Sequence, residues 1–113
     1  MISLEEKKLL ADIKESILSI DEHLENKRVL EEYLSNKTKR RAVEREIEII
    51  GEAMSKVLKI NPNIALSYSR IIVDLRNRVI HAYDSVDDIL MWKIIMKDLP
   101  ILLEETTNLL NEN

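Results

Sequence analysis

Eight consecutive residues in the second half of the chain bring together side chains that can hold a phosphate and move a proton. Arg76, Asn77, Arg78, His81 and Tyr83 supply two guanidinium groups, an amide, an imidazole and a phenol. Arginine stays charged and presents a planar fork that matches phosphate oxygens. Histidine titrates near neutral pH and can take or give a proton. The chemistry available to this set is therefore that of phosphodiesters, with His81 as the acid or base.

The spacing of these residues limits how they can meet. On a continuous α-helix each residue turns by about 100°, so Asn77 and His81, four residues apart, share one face. Arg76 and His81 are five residues apart and would lie roughly 140° apart around the helix. They cannot both face one small ligand from a single unbroken helix. Either the helix loosens near His81, or these groups meet those of a second copy of the chain.

Other catalytic arrangements lack their residues in this sequence. The chain has no cysteine, and no serine stands where His81 would be expected to activate it. His23, the other histidine, is distant in sequence, and no second ligand lies at a spacing typical of metal sites. We therefore expect no metal and no cofactor. A single histidine after an apolar helical run is also commonly a capping or core residue, so a structural role for His81 stays open.

The charge is distributed unevenly along the chain. A net charge of −4 argues against nucleic-acid binding over the whole surface. Residues 1–26 carry seven acids and three bases, whereas residues 27–45, the basic segment, carry three acids and seven bases. Such a segment can form a local phosphate-binding surface, or simply a solvated and charged helix start. Its candidate phosphate-binding residues are Lys39, Arg40, Arg41 and Arg45.

Composition and hydrophobic periodicity predict an all-α protein. The 113 residues include one glycine, two prolines and no phenylalanine, with abundant leucine, isoleucine, glutamate and lysine. The length favours one compact domain over residues 1–113. Five helices are predicted, at about residues 4–26, 28–34, 38–59, 64–80 and 85–108.

Local signals refine these helices. Ser3 and Glu6 form a capping-box pattern ahead of the first helix, and His23, near its end, is expected to be exposed. Gly51 suits close approach of another helix to the third. Pro100 lacks a backbone donor, which predicts a kink about one turn earlier. The buried stripe predicted for the fifth helix comprises Ile89, Trp92, Ile95, Met96, Leu99, Leu102 and Leu103.

Nothing in the sequence suggests a membrane or secreted protein. No apolar run approaches the ~20 residues needed to cross a bilayer, and no signal peptide is apparent. The absence of cysteine fits a reducing cytosol. We expect a cytoplasmic location.

The segment 76–83 resembles the signature of the HEPN superfamily, in which a polar residue follows an arginine and a histidine comes four to six residues later. A tyrosine two positions after the histidine, here Tyr83, is similar to the HepT toxins, whose partners are minimal nucleotidyltransferases of the MntA type. Residues 41–53 and 83–100 are similar to two further signatures of the family. The resemblance covers residues 41–103, while the first forty residues match only in helical character.

The resemblance implies a HEPN-like bundle of about five helices that acts as a toxin and cleaves RNA without a metal ion. It implies that Arg76, Asn77 and His81 are catalytic, that Arg78 binds phosphate, and that two protomers pair so that two motifs line one cleft. It also implies that the antitoxin silences the toxin by AMPylation of Tyr83. The alternative is a non-catalytic HEPN module that binds nucleotide or a nucleotidyltransferase partner. Tyr33 and Tyr68 are predicted to be packing residues.

Overall fold

The computed structural model describes residues 2–67, 72–73 and 88–112, and all regular structure in these ranges is helical. This confirms the predicted all-α fold. The elements are α1 (Leu4–His23), α2 (Leu30–Ser35), α3 (Lys37–Ile60), α4 (Asp88–Lys93), a π-helical segment (Ile94–Asp98) and α5 (Leu99–Asn111). None of the described helices is both long enough and apolar enough to cross a bilayer.

The predicted capping box at the start of α1 is confirmed. The Ser3 hydroxyl accepts from the Glu6 amide at 3.1 Å, and the Glu6 carboxylate accepts from the Ser3 amide at 3.1 Å. The helix ends three residues earlier than predicted, because Glu25 and Asn26 adopt left-handed φ angles of 56° and 57° that a helix cannot continue through. At the next long helix, the Asn36 side chain caps α3 by accepting from the Lys39 amide.

The core lies mainly between α1, α3 and α5, since α3 and α5 both pack on α1. The helical periodicity of the sequence predicts an apolar stripe on α3, and most of it is confirmed. Five of its side chains have no exposed surface, while Ala42 and Leu58 are partly buried; the five are Val43, Ile47, Ile50, Met54 and Val57. Full burial of such a side chain stabilises the fold by about 1.5–3 kcal/mol. Gly51 is buried in the same helix, as expected for close helix packing.

The start predicted for the fourth helix is wrong. Residues 64–67 are not helical, and of the remaining predicted span only Ile72 and Val73, which are helical, are described. The amide and hydroxyl of Ser67 both donate to the Glu105 carboxylate of α5, so the Ser67 amide is engaged away from a helical ladder.

The π-helical segment appears about one turn before Pro100, where the sequence predicts a kink. The Leu99 amide donates to the Ile94 carbonyl five residues back, and Pro100 has no N–H to offer. The wider turn leaves the Ile95 carbonyl without its usual partner. The Arg28 Nη1 atom donates to that carbonyl at 3.2 Å, and its Nη2 atom lies 2.6 Å from the Asp21 carboxylate. Arg28 thus ties the connection between α1 and α2 to the π-helical segment.

The same segment corrects the buried stripe predicted for the last helix. Ile95, Leu99 and Leu102 are buried as predicted, but Ile89 and Met96 are 46% and 42% exposed. A π turn holds one more residue than an α turn, so residues before it are rotated by about 100° from their place on a regular helix. Met91, and not Ile89, therefore lies in the core, with no exposed surface.

Candidate functional site

The predicted motif and the predicted basic surface differ in how far the structure describes them. Arg76, Asn77, Arg78, His81 and Tyr83 lie outside the described residues, as does Tyr68, which was predicted to be a packing residue. The other predicted phosphate-binding residues, Lys39, Arg40, Arg41 and Arg45, are described and stand in the first three turns of α3.

Arg41 and Arg45 form an exposed ridge on α3. They are four residues apart, so they share one face of the helix, and their side chains are 65% and 69% exposed. Each pairs with a glutamate three residues later, at 3.3 Å for Glu44 and 3.1 Å for Glu48. The Arg45–Glu48 pair is exposed, and such pairs contribute only about 0–1 kcal/mol. Arg45 can therefore exchange its glutamate for another anion at little cost, whereas the glutamate partner of Arg41 is largely buried.

Arg40 lies on a different side of the helix and contacts other elements. Its Nη1 atom donates to the Leu34 carbonyl near the end of α2. Its Nε atom is 3.6 Å from the Asp88 carboxylate at the start of α4, and its side chain is 23% exposed. Lys39, by contrast, forms no ion pair within the described residues. The structure thus does not bring the four predicted cations into one surface.

The ring of Tyr33 lies buried beside Arg40. It is 1% exposed and its centroid is 5.2 Å from that of Trp92 in α4, which confirms the predicted packing role. Its hydroxyl is buried and has no hydrogen-bond partner among the described residues. Burial raises the pKa of Tyr33, and the carboxylates of Asp88 and Glu44 raise it further. This phenol therefore stays protonated at neutral pH.

Glu44 completes this group, which we call the corner cluster: Tyr33, Arg40, Glu44, Asp88 and Trp92. Glu44 is only 8% exposed. Its burial raises its pKa, and although Arg41 opposes the shift, Asp88 adds to it. Two carboxylates with a single partly buried arginine thus surround a buried phenol.

The corner cluster stands next to the part of the chain that carries the motif. Asp88 follows Tyr83 by five positions and is the first residue described after that stretch. On the other side, Ser67 donates from its amide and hydroxyl to Glu105 at 2.8–3.1 Å. No local sequence signal indicated the Arg40–Asp88 contact or the Ser67–Glu105 contact, because the partners are 48 and 38 residues apart.

Comparison with known proteins shows which family the chain belongs to. A family model described as ribonuclease HepT-like matches residues 13–109. The chain belongs to the HepT-like family. It is 35% identical over 100 residues to a probable ribonuclease HepT of Thermococcus cleftensis, covering 85% of this chain and 87% of the relative. It is 38% identical over 78 residues to a putative RNase of Methanocaldococcus jannaschii, covering 66% and 69%. No solved structure matches significantly.

Membership in the HepT-like family confirms the resemblance drawn from residues 41–103, and the family match extends into α1.

A separate group of acidic residues lies on α1 and α3 of this HepT-like chain. His23, expected to be exposed, is instead partly buried, with its Nε2 atom 2.7 Å from the Glu46 carboxylate. Glu46 also lines a shallow cleft with Asp12 and Glu15. These carboxylates disfavour a phosphate ligand. The described residues contain no group of three or more acids, histidines or cysteines arranged to hold a metal ion.

Proposed function

We propose that this HepT-like chain is the endoribonuclease toxin of a toxin–antitoxin pair and acts in the cytoplasm. One observation carries the proposal: the family match spans a sequence that retains Arg76, Asn77 and His81 at the spacing of the HEPN motif. Relatives that cover most of this chain are themselves named ribonucleases. A plain helical scaffold would leave the motif without a role.

The proposed reaction needs only protein side chains. The 2′-oxygen of RNA attacks the adjacent phosphorus, the bond to the 5′-oxygen breaks, and a 2′,3′-cyclic phosphate and a 5′-hydroxyl result. One proton leaves the 2′-hydroxyl and one reaches the departing oxygen, which is the acid–base work proposed for His81. Arg76 holds the phosphate and offsets the charge that develops on its oxygens. Asn77 orients the reacting groups.

A homodimer is part of this proposal. Each chain offers one motif histidine, whereas the reaction calls for a proton acceptor and a proton donor, so two motifs in one cleft supply both. Exposed apolar side chains near α2 and α4 offer surface for such pairing; they are Val29, Leu34, Ile89 and Met96, each 37–46% exposed.

Sedimentation analysis at micromolar concentration tests the pairing. Wild type should sediment as a dimer, and Ile89→Glu should shift it towards monomer. Leu18→Glu is the matched control, because Leu18 is 44% exposed but lies on α1. A monomeric wild type would reject the dimer.

RNA binding is proposed to use Arg78, Lys39 and the exposed ridge of Arg41 and Arg45. The ridge is favoured because the side chains of both arginines are largely exposed, and because the exposed Arg45–Glu48 pair is easily exchanged for phosphate. The ridge also lies on α3, and Arg40 of the same helix contacts Asp88 in the part of the chain that follows the motif.

Silencing is proposed to occur by AMPylation of Tyr83 by an MntA-type nucleotidyltransferase. The added phosphate would occupy Arg76 or Arg78 and so block the RNA phosphate. Mass spectrometry after coexpression should place the added mass on Tyr83 and not on Tyr33, which is buried. Tyr83→Phe should still cleave RNA but escape silencing. A Tyr83→Phe protein silenced as well as wild type would show inhibition by complex formation.

Cleavage of a labelled RNA in EDTA tests the proposed function. Purified protein should cut it and leave a 2′,3′-cyclic phosphate, while His81→Ala and Arg76→Ala should lose activity with their helical circular-dichroism signal unchanged. Activity abolished by chelation and restored by Mg²⁺ would contradict a metal-independent reaction. Binding of nucleotide or of a nucleotidyltransferase without any cleavage would instead support a non-catalytic HEPN module.

A further inference from the structure

The contacts of Arg40 join three separate parts of the chain. The guanidinium donates to the Leu34 carbonyl near the C-terminal end of α2 and approaches the Asp88 carboxylate to 3.6 Å. A cation near a helix C-terminus is favoured, because unsatisfied carbonyls gather there. The same side chain therefore bonds α2 and α4 to the helix that carries it.

The packing below Arg40 makes this junction specific. Tyr33 of α2 and Trp92 of α4 stack with their ring planes 35° apart, and Tyr33 has almost no exposed surface. The Arg40 side chain is only 23% exposed and that of Asp88 is 32% exposed, so water screens this pair less than it screens the Arg45–Glu48 pair on the ridge. The polar contact thus lies over an apolar contact between the same two helices.

We propose that Arg40 is a positioning residue for the reaction and does not bind RNA phosphate. It fixes the start of α4 at Asp88, five positions after Tyr83 and seven after His81, and so sets where the chain leaves the motif. This inference rests on the proposed function, and it separates Arg40 from Arg41 and Arg45 within the basic segment. A small displacement of a catalytic group costs much in rate, up to ~100-fold for ~1 Å.

Single-turnover cleavage of a labelled RNA separates positioning from binding. Arg40→Ala should lower the rate at saturating RNA by about tenfold and leave the RNA concentration for half-maximal rate nearly unchanged. Arg41→Ala is the matched control: it removes the same charge one position away, and should change the half-saturating concentration but not the saturated rate. Arg40→Lys, which keeps the charge and one donor, should recover part of the rate.

The partner variant tests the junction itself. Asp88→Asn should lower the saturated rate as Arg40→Ala does, and the double variant should be no worse than either single one, because both remove the same contact. Effects that multiply, or an Arg40→Ala protein that changes only the half-saturating concentration, would overturn the proposal.

Amide hydrogen exchange provides a readout that needs no activity. Arg40→Ala should raise exchange in residues 88–93, which form α4, relative to Arg41→Ala. The measurement is made without denaturant, at a pH where both variants keep their helical signal. Unchanged exchange there would overturn the positioning role. If wild type cleaves no RNA, the proposed function fails. The exchange measurement then still shows whether Arg40 holds α4 in place.

Discussion

Arg40 and Arg41 are adjacent in sequence, but one is largely buried against other helices and the other is exposed to solvent. The side chain of Arg40 is 23% exposed and engages Leu34 and Asp88, whereas that of Arg41 is 65% exposed and engages Glu44 one turn away. The difference follows from the ~100° turn between consecutive helical residues, which directs one guanidinium towards α2 and α4 and the other towards solvent. Two equal charges in a sequence therefore differ in what they can bind.

The basic segment also has fewer free cations than the sequence indicates. Four of the seven bases in the basic segment are paired with carboxylates; they are Arg28, Arg40, Arg41 and Arg45. Within the described part of the chain, the remaining three, Lys27, Lys37 and Lys39, have no ion pair. Of the paired bases, only Arg45 has an exposed ion pair that exchanges easily, so the surface open to phosphate is narrower than the charge count indicates.

The largest effect is expected where the corner cluster meets the core. Tyr33→Ala should lower the free energy of unfolding by about 3–5 kcal/mol, because it leaves a cavity beside Trp92. Tyr33→Phe should change it by less than about 1 kcal/mol, since the hydroxyl has no partner among the described residues. Urea unfolding measures both. A Phe variant as unstable as the Ala variant would mean that the hydroxyl holds a hydrogen bond.

The two adjacent arginines should differ in stability as well. Arg40→Ala should lower the free energy of unfolding by about 1–2 kcal/mol, because the Leu34 carbonyl loses its hydrogen-bond donor and the Asp88 carboxylate loses its ion-pair partner. Arg41→Ala should lower it less, by about 0–1 kcal/mol, because the Arg41 side chain is largely exposed and has one partner. Urea midpoints for the two variants and wild type provide the comparison. Equal losses would remove the distinction between the corner cluster and the ridge.

The sequence predicted those features that depend on neighbouring residues. Period-3.6 spacing located α3 and its buried face, and Ser3 with Glu6 marked the start of α1. Before Pro100, the burial of Met91 was missed and Ile89 and Met96 were wrongly assigned to the core, because the π turn shifts the helical phase by one residue. The Arg40–Asp88 and Ser67–Glu105 contacts were missed because tertiary packing, and not local spacing, selects partners that far apart.

The exposed ridge should affect how RNA binding depends on salt. In an inactive His81→Ala background, Arg41→Ala and Arg45→Ala should each reduce the slope of log affinity against log salt by about 1. Lys56→Ala is the control, because Lys56 is 60% exposed and paired on the same helix but lies three turns further on. Fluorescence anisotropy with a short labelled RNA measures the slopes. A ridge slope no different from the Lys56 control would exclude the ridge from the RNA contact.

The smallest effect concerns the pH dependence of stability. Burial raises the pKa of Glu44 above its ordinary value, so the folded state holds this proton more tightly than the unfolded state. Its contribution to stability is fully present below the ordinary carboxyl pKa and is lost as pH rises through the raised value. Glu44→Gln should therefore gain stability relative to wild type at pH 7 but not at pH 4, by urea unfolding. An equal change at both pH values would contradict this.

We propose that this HepT-like chain cleaves RNA with the Arg76–His81 motif. Single-turnover cleavage in EDTA by the purified wild type and by its motif variants tests this proposal most directly. Wild type should cut the RNA, and Arg76→Ala and His81→Ala should each be inactive, as expected if the motif is catalytic. Cleavage by either variant at the wild-type rate in EDTA would show that another set of residues performs the reaction.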